Sequence, residues 1–150
     1  MAKFSPDEAL SVIAVQQVIN DWAYDLDFYG NEHVGGLITE DVSYNVAGSV
    51  KQGRAAVVGF YADRRRDLQA KFGDAQPVMR HINTNFRCKF ARPDQAEVTF
   101  HLVFWTTEVP GFNPADIIAV ADVQMTIRRG SDGDWKIAHF DSTQPLKRVG

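Results

Sequence analysis

The chain has 150 residues, 45% hydrophobic and 23% charged, which is ordinary globular composition and enough for one domain with a core and a pocket. Sixteen Lys and Arg stand against nineteen Asp and Glu; a net charge of −3 argues against a dedicated nucleic-acid partner, and the single cysteine, Cys88, excludes an intrachain disulfide or a thiolate zinc cluster. The first residues are too polar for a secretory signal and no apolar run is long enough to span a bilayer, so we expect a soluble, cytoplasmic protein without a membrane partner.

In chain order, Ser5-Pro6-Asp7-Glu8 predicts a helix start. Ser5 caps, Pro6 suits the first helical position and Glu8 completes a capping box. Leu10, Ile13, Val18, Ile19 and Trp22 carry the helix to about Asp27 or Phe28, where Gly30-Asn31 breaks it. A short helix is expected near Glu32–Ile38, a strand at Val42–Val46 and a turn region from Gly48 to Gly53. A third helix follows from Arg54 to about Phe72, with Val57, Val58, Phe60, Tyr61 and Leu68 apolar; its segment Asp63–Asp67 reads as a solvated face.

Beyond Pro77 the period changes to two. Strands are expected at Met79–Phe90, Ala96–Glu108, Ile117–Arg129 and Trp135–Ser142, with a turn at Ala91–Gln95, a loop at Pro110–Pro114 and a hairpin turn at Gly130–Asp134. Helices followed by a long antiparallel meander define an α+β fold, and a sheet this long must curl over the helices into a cone with an interior cavity. The ten phenylalanines and three tryptophans serve either a packed core or a pocket for an apolar ligand. Within Ile117–Arg129, one face carries Ile117, Ala119, Ala121, Val123, Met125 and Ile127, and the other Val120, Asp122, Gln124, Thr126 and Arg128. The same alternation puts Asn83, Asn85 and Arg87 on the face of His81. Such polar stripes line a wet cavity, or face solvent or a second subunit.

Tyr24-Asp25-Leu26-Asp27, Ile38-Thr39-Glu40-Asp41-Val42, Gly53-Arg54-Ala55-Ala56-Val57-Val58, Arg80-His81-Ile82-Asn83-Thr84-Asn85 and Asp134-Trp135-Lys136-Ile137, in this order, resemble the SnoaL-like branch of the nuclear transport factor 2-like superfamily. The resemblance covers about Leu10 to Ser142 within a single domain taken as 1–150. It implies a cystatin-like cone, with N-terminal helices on a curved, mainly antiparallel sheet enclosing a pocket. The fold hosts isomerases, dehydratases, cyclases, dehydrochlorinases and non-catalytic subunits, so it does not by itself name an activity. The stretch similar to the ketosteroid isomerase base has Asn45 where a carboxylate is expected, and an amide does not accept a proton at neutral pH. That enzyme's protonated acid falls near Asp122. The better match is to scytalone dehydratase, hexachlorocyclohexane dehydrochlorinase and bile-acid dehydratase, in which an Asp ends the first helix and a His opens a long strand. Asp27 and His81 fall at those places, 54 residues apart. A supporting arginine falls on Arg128 or Arg129. The family's enzymes are typically cofactor-free, and no cofactor or metal is expected here; the glycines form neither a phosphate loop nor a dinucleotide fingerprint.

The pair makes sense without the family. A histidine moves protons at neutral pH, and a carboxylate on its far nitrogen fixes the tautomer and steadies the imidazolium. Next to a leaving group, proton abstraction is elimination; next to a carbonyl, it is isomerisation or cyclisation. The leading expectation is a cofactor-free lyase acting on a hydrophobic cyclic small molecule, with Asp27 and His81 catalytic and Trp22, Tyr24, Tyr44, His101, Asp122 and Arg128 as substrate contacts. The alternatives are an isomerase or cyclase, a ligand-binding module, or an assembly subunit like the dioxygenase β-subunit. Apolar residues on both faces of Ala96–Glu108 predict a homodimer or higher homo-oligomer through the outer sheet face. Asp25 and His33 are expected to be structural or exposed, and Cys88 structural and unreactive.

Overall fold

The computed structural model describes residues 3–107 and 116–148; the loop expected at Pro110–Pro114 and the strand end at Glu108 lie outside them. Helix α1 spans Pro6–Tyr29. Its capping box is present: the Glu8 N–H donates to Ser5 Oγ at 3.2 Å and the Ser5 N–H to Glu8 Oε2 at 2.7 Å. It ends at Gly30, whose φ of 59° is the left-handed conformation that closes helices. A Cβ there would stand 2.9 Å from Arg65 Cγ, so the space as well as the angle calls for glycine. The buried stripe is Val15, Ile19, Trp22 and Leu26, at the three-to-four spacing of a helix face. Leu10 and Ile13, expected in that stripe, are exposed, because they lie on the opposite face.

Helix α2 is one turn, Val34–Leu37, shorter than expected. Strand β1 spans Ile38–Val46 and pairs antiparallel with β2, Ser49–Gln52, a strand where only a turn was expected. Helix α3 spans Arg54–Phe72 and buries Val57 and Tyr61. Strands β3 (Met79–Arg92), β4 (Gln95–Thr106), β5 (Asp116–Arg129) and β6 (Trp135–Lys147) complete one six-stranded sheet of order β2-β1-β6-β5-β4-β3. All neighbours are antiparallel except β1 and β6. The sheet curves around the helices without closing, and its concave face supplies Val98, Phe100, Val123, Met125, Ile127 and Ile137 to the core. Of the expected faces of β5, Ala119 through Ile127 point inward, whereas Ile117 is exposed.

Strand β3 changes parity midway. Thr84 pairs with His101 but Arg87 pairs with Thr99, so β3 holds one extra residue, and Asn85 takes a φ of 57° there. Before this bulge Met79, His81 and Asn83 face inward; after it Phe86, Cys88 and Phe90 do. Arg87 and Asn85 therefore leave the face of His81, contrary to strict alternation. Asparagine suits the position because its short polar side chain tolerates the left-handed region.

Candidate active site

Asp27 sits in the last turn of α1, and His81 is the third residue of β3, the strand most in contact with α1. The two side chains meet. Asp27 Oδ1 lies 2.5 Å from His81 Nδ1, and Asp27 Oδ2 accepts the His81 backbone N–H at 2.9 Å. Both side chains are more than nine-tenths buried. The His81 ring stacks on Phe104, its cross-strand partner, with centroids 4.6 Å apart. Carboxylate, backbone and ring face together fix the imidazole. With Nδ1–H donating to the carboxylate, Nε2 holds the lone pair.

The ring forms part of the wall of a pocket of about 90 Å³ between α1, α3 and the concave sheet face. Trp22, Tyr61, Phe140, Ser142 and Gln144 line it as well. This is below the ~150 Å³ of a cavity known to take benzene, so a ring must use the pocket's open end. A larger groove, about 860 Å³, lies between the start of α1 and the β3–β4 turn. Along a helix, Ser5 and Asp27 are about 33 Å apart, so that groove is remote from the dyad. The small pocket is the one that His81 enters.

Behind it runs a buried chain of hydrogen bonds. Trp22 Nε1–H donates to Tyr44 Oη at 2.9 Å, and the Tyr44 and Tyr61 hydroxyls are 2.7 Å apart. Indole is a donor only, so the Tyr44 proton has one place to go, the Tyr61 oxygen. The Tyr61 proton is then left for the neighbouring Asn31 amide or for an acceptor in the pocket. Burial, reinforced by the neighbouring phenol, pushes the Tyr44 hydroxyl well above the ordinary tyrosine range, and burial raises Tyr61 too. Both are neutral donors at physiological pH.

The other expected contacts separate. Trp22 lines the pocket, and Tyr44 supports it from behind, stacked on Phe140 at 4.4 Å. Tyr24 is an exposed side chain of α1 stacked on Phe28, outside the pocket. His101 and Asp122 face each other on the convex side of the sheet, because odd residues of β4 and even residues of β5 point outward. Arg128 shares that side and pairs with Asp41 and Thr39; the Thr39 hydroxyl first, then Arg128, hold the Asp41 carboxyl below its usual range. Tyr24, His101, Asp122 and Arg128 are therefore not part of this pocket. Asn45 also turns away from it, donating to Asp141 at 2.6 Å and accepting from the Gly48 N–H. Asp25 takes the structural of the two alternatives expected for it: it is buried and accepts the backbone N–H and Nδ1–H of His33. Among the described residues, no three His, Cys, Asp or Glu side chains gather as metal ligands, and no helix is long and apolar enough to cross a membrane.

Sequence reasoning missed Tyr61, Phe104, Phe140, Ser142 and Gln144 as pocket residues. Tyr61 carried a signal, since it belonged to the apolar set expected on the third helix. Phe140 and Ser142 did not, because β6 shifts register between Ile137 and His139 and moves them inward.

A cystatin-like cone with a pocket over its inner sheet face matches known proteins. The SnoaL-like domain model matches residues 7–141, and the chain belongs to that family. Among solved structures, one named as a candidate scytalone dehydratase from Novosphingobium aromaticivorans is 18% identical, covers 97% of this chain and 91% of its own, and superposes with a TM-score of 0.78. ActVI-ORFA from Streptomyces coelicolor is 15% identical, with coverages of 89% and 96% and a TM-score of 0.76. A Catenulispora acidiphila protein solved in complex with S-DNPA is 21% identical, with coverages of 91% and 94% and a TM-score of 0.70. At these identities the likeness establishes the fold. No curated protein matches the chain significantly.

Proposed function

We propose that the protein is a cofactor-free lyase that removes a proton from a hydrophobic cyclic small molecule, with His81 as general base and Asp27 as its orienting carboxylate. The observation that carries this reading is the buried Asp27–His81 pair at the pocket wall. His81 Nε2 takes the proton; the charge gained by the ring is balanced by the carboxylate on Nδ1. The Tyr61 hydroxyl, with its proton directed to the pocket by Tyr44, hydrogen-bonds the substrate oxygen as charge develops there. The electron pair of the broken C–H bond becomes the new double bond, and the leaving group on the adjacent carbon departs with the electron pair of its own bond to that carbon. A relative of this fold named for scytalone dehydratase, and another holding a small ligand, support a small-molecule role. A second copy of the chain covering the convex sheet face, where Ile82, Ile117 and Leu146 are exposed, completes the reading.

The test is a thermal-shift screen with cyclic hydroxy ketones, phenols and chlorinated cyclohexanes, followed by turnover of each hit. A ligand raises the melting temperature by mass action. Asp27→Asn keeps the shape of the side chain and loses the charge; turnover falls by orders of magnitude while the hit still binds. A variant that turns over at the wild-type rate contradicts the proposal.

A further inference from the structure

The run Asp63-Arg64-Arg65-Arg66-Asp67 is not the uniform solvated face its sequence suggests. Arg66 is exposed and paired with Asp63. Arg65 turns in and donates to the Gly30 carbonyl at 2.9 Å. Arg64 also turns in, one helical turn after Tyr61, and reaches across to β3, where its Nη2 meets Met79 Sδ at 3.4 Å. A thioether is a weak acceptor that carries no charge. Nη1 is buried with no acceptor among the described residues.

The other half-buried arginines differ. Arg54 has Glu40 and the Ile38 carbonyl, Arg65 has the Gly30 carbonyl, and Arg128 has Asp41. Arg64 has no oxygen partner among the described residues. A cation half withdrawn from water without a bonded counterion is costly. Burial works against its charge, while the Tyr61 phenol favours it. Its neighbours locate that field. Tyr61 and His81 both line the pocket, and Met79 is the inward-facing residue just before His81. Asn31, 1% exposed, has an amide without an aligned partner and lies near enough to the Tyr61 hydroxyl to favour negative charge on it. The Tyr44 hydroxyl bonded to Tyr61, the Asn31 amide and the Arg64 cation all favour negative charge at the Tyr61 oxygen.

We propose that Arg64 is a positioning residue, a half-buried cation beside Tyr61 with no oxygen partner among the described residues, that makes this end of the pocket select a ligand oxygen bearing negative charge. This deepens the lyase reading and rests on its pocket. It narrows the substrate to a ring whose charge gathers on oxygen as the proton leaves, as an enolate or phenolate does, and disfavours a chlorinated hydrocarbon, whose charge would gather on carbon. Arg64 acts through Tyr61 and does not itself touch the reacting atoms.

The probe is 4-nitrophenol, a single ring whose phenol and phenolate forms have different visible spectra. Titrated with and without protein, it reports which form is bound. The wild type binds the phenolate about tenfold or more tightly than the phenol, the size of one charge-assisted interaction. Arg64→Met, which keeps the apolar stem, abolishes the preference without abolishing binding of the phenol, and Arg64→Lys retains most of it. Arg64→Gln gives the same reading should the methionine variant fail to fold. His81→Gln keeps the preference, because the cation and not the base produces it. Equal binding of the two forms by the wild type, no binding of either, or a preference that survives in Arg64→Met overturns the proposal. A preference lost in His81→Gln but kept in Arg64→Met also overturns it, while leaving the base assignment standing. Failure of that assignment would show instead in turnover.

Discussion

Replacing Tyr44 with Phe removes one oxygen and leaves the ring, still stacked on Phe140, in place. That oxygen is the acceptor for Trp22 Nε1–H and the donor to Tyr61. Trp22 is 2% exposed and Tyr44 is fully buried, so water does not replace it. A buried donor left without an acceptor costs about 1–3 kcal/mol. We expect Tyr44→Phe to lose about 2 kcal/mol, and for a domain of this size a melting temperature lower by about 4–8 °C. Tyr24→Phe is the control: its ring is exposed, and the change should stay within about 0.5 kcal/mol. Urea unfolding with a common slope measures both. Tyr61→Phe strands the Tyr44 proton by the same logic, so the double variant Tyr44→Phe/Tyr61→Phe should lose less than the two single losses added together. A Tyr44→Phe midpoint indistinguishable from that of Tyr24→Phe refutes the hydrogen-bond chain and with it the assignment of the free proton to Tyr61.

Three further outcomes are expected. In an alkaline absorbance titration two of the four tyrosines, Tyr44 and Tyr61, stay neutral until the chain unfolds. Their folded-state values lie above the unfolded one, so the native state holds more protons once pH passes about 10, and stability falls as pH rises further. Ionisation of all four before any loss of circular dichroism contradicts this. Cys88 is half-buried between Phe86 and Phe90 on the inner face, and burial pushes its thiol up, so a thiol reagent should label native protein far more slowly than unfolded protein; equal rates contradict it. Light scattering should give at least twice the mass of one chain at micromolar concentration, and a monomer would remove the second copy from the convex face.

The fold was legible where local chemistry decides it. Ser5 and Glu8 fix the start of α1 and Gly30 its end, and alternation in β5 separates its two faces without saying which one is inner. What the sequence hid were the register shifts. Nothing in the Asn83–Phe86 string announces that Asn85 is left-handed, yet that bulge separates Arg87 from the face of His81. The pairing of β1 with β6 is parallel and joins residues about two thirds of the chain apart, so no local pattern encodes it. The dyad was legible because its position came from the family's pattern and its chemistry from the residue types. The pocket lining was legible only in part: Trp22 lines it, whereas Tyr24, His101, Asp122 and Arg128 were chosen for polarity, and polar residues of a half-buried sheet mostly face out. Arg64 was hidden by its charged neighbours, since a helix turns three consecutive arginines to three different sides.

The central claim is that His81 removes a carbon-bound proton, and deuterium incorporation reads that event directly. A cyclic hydroxy ketone that binds the pocket is held in deuterated water with wild-type protein or with His81→Gln, and exchange at the acidic carbon and formation of the elimination product are followed by proton NMR. The account predicts that the variant folds and binds the ketone as the wild type does, and that exchange and product formation both fall by about 10²–10⁴-fold. Exchange at the wild-type rate by a folded His81→Gln protein would contradict it.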